Sequence, residues 1–78
     1  MSIDTQQSLA IPLNVSVNGE PRRVSAGLSI TQMLAELSLD PQRVAVERNR
    51  DVVPRSSLSQ VSVEEGDQYE IVHFVGGG

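Results

Sequence analysis

The pair Asn18-Gly19 constrains the fold of this chain more than any other feature of its sequence. Both residue types accept the positive φ angles of a two-residue type I′ turn, and that turn joins antiparallel strands. The preceding residues 11–17 alternate between apolar and polar side chains, which is the period of a strand with one buried face. The sequence therefore predicts a β-hairpin whose second strand runs to Ser25. Pro21 has no amide hydrogen, so this second strand is predicted to lie at the edge of the sheet.

A helix is predicted to follow the hairpin. Ser29 and Gln32 have the three-residue spacing of a capping box, in which each side chain bonds the other residue's backbone amide. Apolar residues then recur at i, i+3, i+4 and i+7, which gives the helix one buried stripe. The stripe consists of Ile30, Met33, Leu34 and Leu37. Pro41 disfavours helical geometry at the residue before it, so the helix is predicted to end by about Ser38.

Three further strands are predicted in the second half of the chain. Residues 43–48 alternate around two valines, a turn follows, and Val52 with Val53 forms a short fourth element. Residues 55–60 are polar around one leucine and are predicted to form a single helical turn. The acidic segment 64–67 contains a glycine and is predicted to be a solvated turn with no metal-ligand spacing.

The last predicted strand, residues 68–75, is apolar on both faces near its end. Val72 and Phe74 lie on one face, and Ile71 and His73 lie on the other. A sheet that is covered by one helix needs apolar residues on one face only, so Val72 and Phe74 indicate a second contact, either within the fold or with a partner. We interpret His73 as a structural residue of the sheet, because no second base or nucleophile accompanies it.

The order of these elements, β-β-α-β-β-β, predicts an α+β fold of the β-grasp (ubiquitin-like) type. Such a fold has a mixed sheet, one main helix packed on one face, and the final strand in the middle of the sheet. We expect residues 1–10 to be a flexible leader, residues 11–75 to form the β-grasp domain, and residues 76–78 to be a flexible C-terminal glycine tail. Glycines have no Cβ, so another protein's backbone can close tightly around such a tail.

The composition argues against several functions. The net charge of -4, with arginine as the only basic residue besides one histidine, argues against nucleic-acid binding. The absence of cysteine excludes disulfides, thiolate metal sites and a cysteine nucleophile. No apolar run is long enough to span a bilayer and no signal peptide is visible, so we expect a cytoplasmic location without membrane contact. A chain of 78 residues has a small core, so we expect a partner-dependent protein that is not itself an enzyme.

Residues 13–78 resemble the sulfur carrier proteins of thiamin biosynthesis, the ThiS family. The blocks that carry the resemblance are Leu13 with the Asn-Gly hairpin, residues 46–49 followed by 53–55, the Glu-Gly-Asp turn at 65–67 and, above all, the final block 70–78. Minimal members of the family end in two glycines, whereas this chain ends in three. The reactive role is therefore assigned to the last of them, Gly78.

The resemblance implies that the chain is a substrate of other enzymes and binds no cofactor itself. An E1-like adenylating enzyme would use ATP and Mg²⁺ to activate the carboxylate of Gly78, and a cysteine desulfurase or another persulfide donor would supply sulfur. The resulting thiocarboxylate would donate its sulfur to thiazole synthase. Gly76 and Gly77 would thread into the partners' active sites, and the last four residues reach about 13–14 Å when extended. The residues expected to dock on the partners are Val72, Phe74, Val75 and Arg55.

Two alternatives remain open at this stage. A carrier for molybdopterin synthase has the same fold and a diglycine end, although blocks 53–55 and 72–74 match the thiamin carrier better. A β-grasp binding module without covalent chemistry would not need a glycine end at all. Removing Gly77 and Gly78 would leave such a module working but would abolish a carrier.

Overall fold

Five strands form one mixed sheet in the computed structural model, which describes residues 11–75. The strands are β1 (Leu13–Val17), β2 (Glu20–Val24), β3 (Val44–Arg48), β4 (Asp51–Val53) and β5 (Gln68–His73). Their spatial order is β2-β1-β5-β3-β4, and β5 pairs parallel with β1 and antiparallel with β3. This topology confirms the predicted β-grasp fold with the last strand in the middle. The predicted leader and glycine tail, residues 1–10 and 76–78, lie outside the described residues.

Two tight turns join the antiparallel strand pairs at the ends of the sheet. Asn18 and Gly19 have φ angles of 52° and 84°, as the predicted type I′ turn between β1 and β2 requires. Asn49 and Arg50 connect β3 to β4 with φ angles of 52° and 76°. The second turn therefore places an arginine in a conformation that favours glycine. Pro21 lies in β2, which is an edge strand as predicted.

The helix α1 (Ile30–Glu36) begins at the predicted capping box. The Ser29 hydroxyl accepts a hydrogen bond from the Gln32 amide, and the Gln32 side chain accepts one from the Ser29 amide, at 3.2 and 2.9 Å. The helix ends two residues before Ser38, whose φ angle of 63° carries the chain out of helical geometry. The end is consistent with the prediction, and Pro41 begins a short 3₁₀ helix (Pro41–Arg43).

The core lies between α1 and one face of the sheet. The predicted helical stripe is buried, except that Leu37 is only partly buried. From the sheet, the alternate residues of the three central strands face the helix, and they are Val15, Val17, Val44, Val46, Tyr69 and Ile71. The predicted helical turn after β4 is a 3₁₀ helix (Arg55–Ser57), and Leu58 behind it closes one end of the core.

Several strand boundaries differ from the sequence prediction. The strand β2 ends one residue early, at Val24, and β3 begins one residue late, at Val44. The first strand begins at Leu13 and leaves Ile11 exposed, so the alternation of apolar residues starts before the strand does. The last strand ends at His73, although the Phe74 amide still donates a 2.9 Å hydrogen bond to the Arg43 carbonyl. Backbone pairing therefore continues through Phe74 and stops before Val75.

Candidate functional site

The candidate site is the place where the chain leaves the middle of the sheet. Val75, the last described residue, is 94% exposed, whereas Phe74 is still attached to the neighbouring strand through its amide. The predicted reactive glycine Gly78 and the threading glycines Gly76 and Gly77 lie outside the described residues. Their roles therefore stay predictions.

The sheet face that α1 does not cover carries exposed apolar residues beside this exit. Val72 lies directly opposite Ala45, and Val52 lies opposite Glu47 on the same face. Val72 is 62% exposed and Phe74 is 53% exposed. The sequence left open whether Val72 and Phe74 pack within the fold or face outwards, and in the structure they face outwards. We call the face opposite α1, with its exposed Val52, Val72 and Phe74, the open face.

Arg55 joins the open face from the 3₁₀ helix that follows β4. Its guanidinium carbon lies 5.3 Å from the centre of the Phe74 ring, which is within the range of a cation–π contact. Beside this pair lies a mostly apolar hollow of about 170 Å³, whose lining includes Ala45, Val52 and Pro54. The structure thus brings Arg55 and Phe74 together, and Val72 lies on the neighbouring stretch of β5.

Two carboxylates that were not predicted as site residues also lie on the open face. Glu47 on β3 is directly opposite Glu70 on β5, and both side chains are exposed. Within residues 11–75, no arginine is within ion-pair distance of either carboxylate. The open face is therefore acidic next to its apolar end. Only the strand register could have revealed this pair, because the two residues are far apart in the sequence.

His73 lies on the other side of the sheet from Val72, at a small cleft of about 160 Å³. The cleft is lined by apolar residues of β1, β5 and the segment after α1, together with Asn18 and Arg22. Among residues 11–75, none that lines the cleft is a carboxylate, a hydroxyl or a thiol. The structural role of His73 stays a prediction.

The prediction of a solvated acidic turn at residues 64–67 is wrong for Asp67. Its side chain is only 5% exposed and accepts hydrogen bonds on both oxygens. Oδ2 accepts from Arg48 Nε, the Glu64 amide and the Tyr69 hydroxyl at 2.8–2.9 Å, and Oδ1 accepts from Asn49 Nδ2 at 3.1 Å. Glu64 and Tyr69 are close to Asp67 in the sequence, whereas Arg48 and Asn49 come from the end of β3. Only the fold brings these last two donors to the carboxylate, so local composition could not reveal the burial. Glu65, in the same turn, stays exposed and accepts from Asn14.

The Asp67 network changes the acid–base properties of its members. Burial by itself raises the pKa of Asp67, but the hydrogen bonds from Arg48, the Glu64 amide, Tyr69 and Asn49 outweigh it, and the net pKa is lower than usual. Burial, followed by the hydrogen bond to Asp67, raises the pKa of Tyr69. Asp67 is thus a structural anion that ties the start of β5 to the end of β3.

Within residues 11–75, no three histidine or acidic residues are close enough together to hold a metal ion.

Both asparagines of the tight turns hold β5 from its two sides. The Asn18 side chain donates to the Ile71 carbonyl at 3.1 Å and accepts from the Ile71 amide at 2.8 Å. On the other side, the Asn49 side chain accepts from the Gln68 amide at 2.9 Å. From the sequence, Asn18 is predicted only to form a turn, and these contacts are not predicted. Their effect is to fix the position of the strand that leads to the exit.

Comparisons with known proteins agree with this geometry. The model of the ThiS family matches residues 15–78. A thiazole synthase from Paramagnetospirillum magneticum is 48% identical over 66 residues, which cover 85% of this chain and 20% of that protein. The sulfur carrier protein ThiS of Bacillus subtilis is 40% identical over 50 residues, which cover 64% of this chain and 76% of that protein. The chain thus spans about a fifth of the length of the thiazole synthase that it matches.

A solved structure is similar along its whole length. The crystal structure of the thiamine biosynthesis protein ThiS from Geobacter metallireducens superposes with a TM-score of 0.72 at 35% identity. The match covers 85% of this chain and all of the other.

In the present chain, no helix of residues 11–75 has the length and apolar character needed to cross a membrane.

Proposed function

The chain belongs to the ThiS family, and on that premise we propose that it is a sulfur carrier of thiamin biosynthesis whose C-terminal Gly78 is the site of modification. The observation that carries the proposal is the geometry of the exit. The central strand β5 releases the chain at Val75, next to an open face of exposed apolar residues. A rigid body with an exposed end is suited to presenting that end to another protein's active site.

The proposed chemistry takes place on the partners. An E1-like enzyme with ATP and Mg²⁺ lets a Gly78 carboxylate oxygen attack the α-phosphorus of ATP, which releases pyrophosphate and forms an acyl-adenylate. The terminal sulfur of a persulfide, supplied by a cysteine desulfurase or another donor, then displaces AMP and gives an acyl disulfide. A second thiol cleaves the S–S bond, so that the carrier keeps a thiocarboxylate and the donor becomes a disulfide. Thiazole synthase then receives the sulfur.

The chain's own residues provide a narrow C-terminal segment and no competing nucleophile, and they do not catalyse the reaction. From Val75, the residues Gly76, Gly77 and Gly78 continue the chain without a side chain beyond Cα, so they fit a narrow channel. The sequence contains no cysteine thiol and no lysine amine, which are the nucleophiles that would compete for the activated carboxyl. Activated carboxyl and sulfur would therefore remain at the C-terminus. In this proposal the carrier is a substrate and not a catalyst.

Loss of the last two glycines tests the carrier role against a binding-module role. We expect the full chain to restore growth without thiamin to a bacterium that lacks its own carrier, and the variant without Gly77 and Gly78 to fail. Residues 11–75 are untouched in that variant, so its thermal unfolding should match that of the full chain and serves as the control for folding. Growth restored equally by the truncated variant would refute the carrier proposal and favour a non-covalent module.

The open face is proposed as the docking surface, with Val72, Phe74 and Val75 in direct contact with partners and Arg55 at its border. We expect Val72→Ser to weaken binding to the adenylating enzyme about tenfold, because a valine that is exposed in the free carrier would be buried in the complex. Ile11→Ser is the matched control, since Ile11 is equally exposed but lies at the start of the described residues. Equal affinities of both variants and the wild type would exclude the open face.

The choice of synthase separates the thiamin pathway from the molybdopterin pathway. Support for thiazole synthase as the receiver comes from the relative of that name, which contains a segment 48% identical to this chain. We expect the thiocarboxylated carrier to transfer sulfur to thiazole synthase and not to molybdopterin synthase in parallel assays. Transfer to molybdopterin synthase alone would assign the chain to the other pathway while leaving the carrier chemistry intact.

A further inference from the structure

Within residues 11–75, Phe74 is the last residue with a hydrogen bond to a neighbouring segment. Its amide donates to the Arg43 carbonyl at 2.9 Å, and its ring lies under the Arg55 guanidinium at 5.3 Å. The next residue, Val75, is almost fully exposed. Two tethers therefore act on one residue, one through the backbone and one through the ring, directly before the chain leaves the sheet.

Apart from its contact with Arg55, the Phe74 ring is only partly packed. Phe74 is 53% exposed, and a hollow of about 170 Å³ lies beside it. On the other side of this contact, the backbone of Arg55 belongs to a regular element. Arg55 follows Pro54 and begins the 3₁₀ helix Arg55–Ser57. The guanidinium thus comes from a fixed element and covers a ring that is otherwise only partly packed.

Arg55 forms no ion pair with another residue in the described part of the chain. Arg22, Arg43 and Arg48 each form an ion pair with a carboxylate, whereas no carboxylate of residues 11–75 lies within ion-pair distance of Arg55. Among residues 11–75, the guanidinium of Arg55 therefore interacts with the Phe74 ring and not with a carboxylate. A guanidinium suits this place because its flat, weakly hydrated surface stacks on an aromatic face.

We propose that Arg55 is a positioning residue for the tail: it clamps Phe74 and so fixes the point and direction at which the chain leaves the sheet. The effect of the clamp on binding to a partner rests on the proposed carrier role. A tail with a fixed root has fewer conformations to lose when it enters a partner's channel, so the clamp lowers the cost of productive binding. Arg55 acts through Phe74 and does not contact the reacting carboxylate.

The clamp is tested first in the free carrier by amide hydrogen exchange and NMR. We expect Arg55→Ala to speed exchange of the Phe74 amide two- to fivefold, the factor that corresponds to an exposed cation–π contact. Arg55→Lys should restore part of the protection, because the positive charge remains. Arg22→Ala, which removes an equal charge from the edge strand β2, should leave the Phe74 amide unchanged. Unchanged exchange in Arg55→Ala would overturn the inference whatever the carrier's function.

The consequence for the tail is tested with the adenylating enzyme and ATP. We expect Arg55→Ala to raise the KM for the carrier two- to fivefold with kcat unchanged, because the clamp affects entry of the tail and not the chemistry. In a Phe74→Leu background, Arg55→Ala should have no further effect, since its target ring is gone. Additive effects of the two substitutions would mean that Arg55 contacts the partner directly, and the inference would be wrong. A wild-type carrier that is never adenylated would instead refute the proposed function.

Discussion

The buried Asp67 network allows a prediction about stability that can be worked out atom by atom. In Asp67→Asn, the amide oxygen can take the place of Oδ2 and keep the donors Arg48, Glu64 and Tyr69. The amide NH₂ then replaces Oδ1 and faces Asn49 Nδ2, so two donors oppose each other where a hydrogen bond existed. The opposite orientation of the amide would turn its NH₂ towards three donors and is worse.

The cost of this substitution has two parts. One hydrogen bond is lost in a buried place, which costs about 1–3 kcal/mol. The remaining bonds, above all that from the Arg48 guanidinium, lose the assistance of a negative charge and weaken by roughly half. Together we expect the free energy of unfolding to fall by about 2–4 kcal/mol. Small domains have stabilities near the lower end of about 5–15 kcal/mol, so the loss is a large share of the total.

Urea denaturation at pH 7 measures this loss, and the same experiment at low pH tests its origin. The folded pKa of Asp67 is below its unfolded value of about 3.9, so its stabilisation is complete well above pH 4 and disappears as the pH falls through that range and below. The wild type should therefore lose more stability on acidification than Asp67→Asn does. Glu65→Gln, in the same turn but exposed, is the matched control and should cost less than about 1 kcal/mol. A change of under 0.5 kcal/mol in Asp67→Asn, or an equal acid loss in both proteins, would refute the reasoning.

Two further predictions concern the tight turns. Asn18→Gly keeps the positive φ of the turn but removes the two side-chain hydrogen bonds to Ile71, so we expect chemical denaturation to report about 1–3 kcal/mol lower stability; a change near zero would show that the bonds contribute nothing. Arg50→Gly relieves a left-handed conformation that costs a side chain about 1–2 kcal/mol, partly offset by the backbone entropy of glycine. We therefore expect thermal unfolding of Arg50→Gly at a higher temperature, and a lower midpoint would contradict this account.

The local elements could be predicted because each depends on signals that lie close together in the sequence. The turn at Asn18-Gly19 and the capping box of Ser29 and Gln32 were predicted correctly, since their geometry is set by the residues themselves. The element order was enough to place the last strand in the middle of the sheet.

What could not be predicted depends on partners that are distant in the sequence. The turn that ends at Asp67 has the composition of a solvated loop, and only the sheet brings Arg48 to its carboxylate. In the same way, Asn18 bonds a residue 53 positions away. For Val72 and Phe74, an apolar pattern on both faces of a strand fits either a second packing layer or a free surface, and only the position of α1 decides between them.

The central claim is that sulfur is carried on the carboxylate of Gly78, and peptide mass spectrometry tests it most directly. The purified chain is incubated with an adenylating enzyme, ATP, Mg²⁺, a cysteine desulfurase and cysteine, with omission of ATP as the control. We expect the C-terminal peptide to gain the mass that corresponds to replacing one oxygen by sulfur. The gain should require ATP, and no other peptide should change. A C-terminal peptide of unchanged mass, under conditions that convert an established carrier, would contradict it.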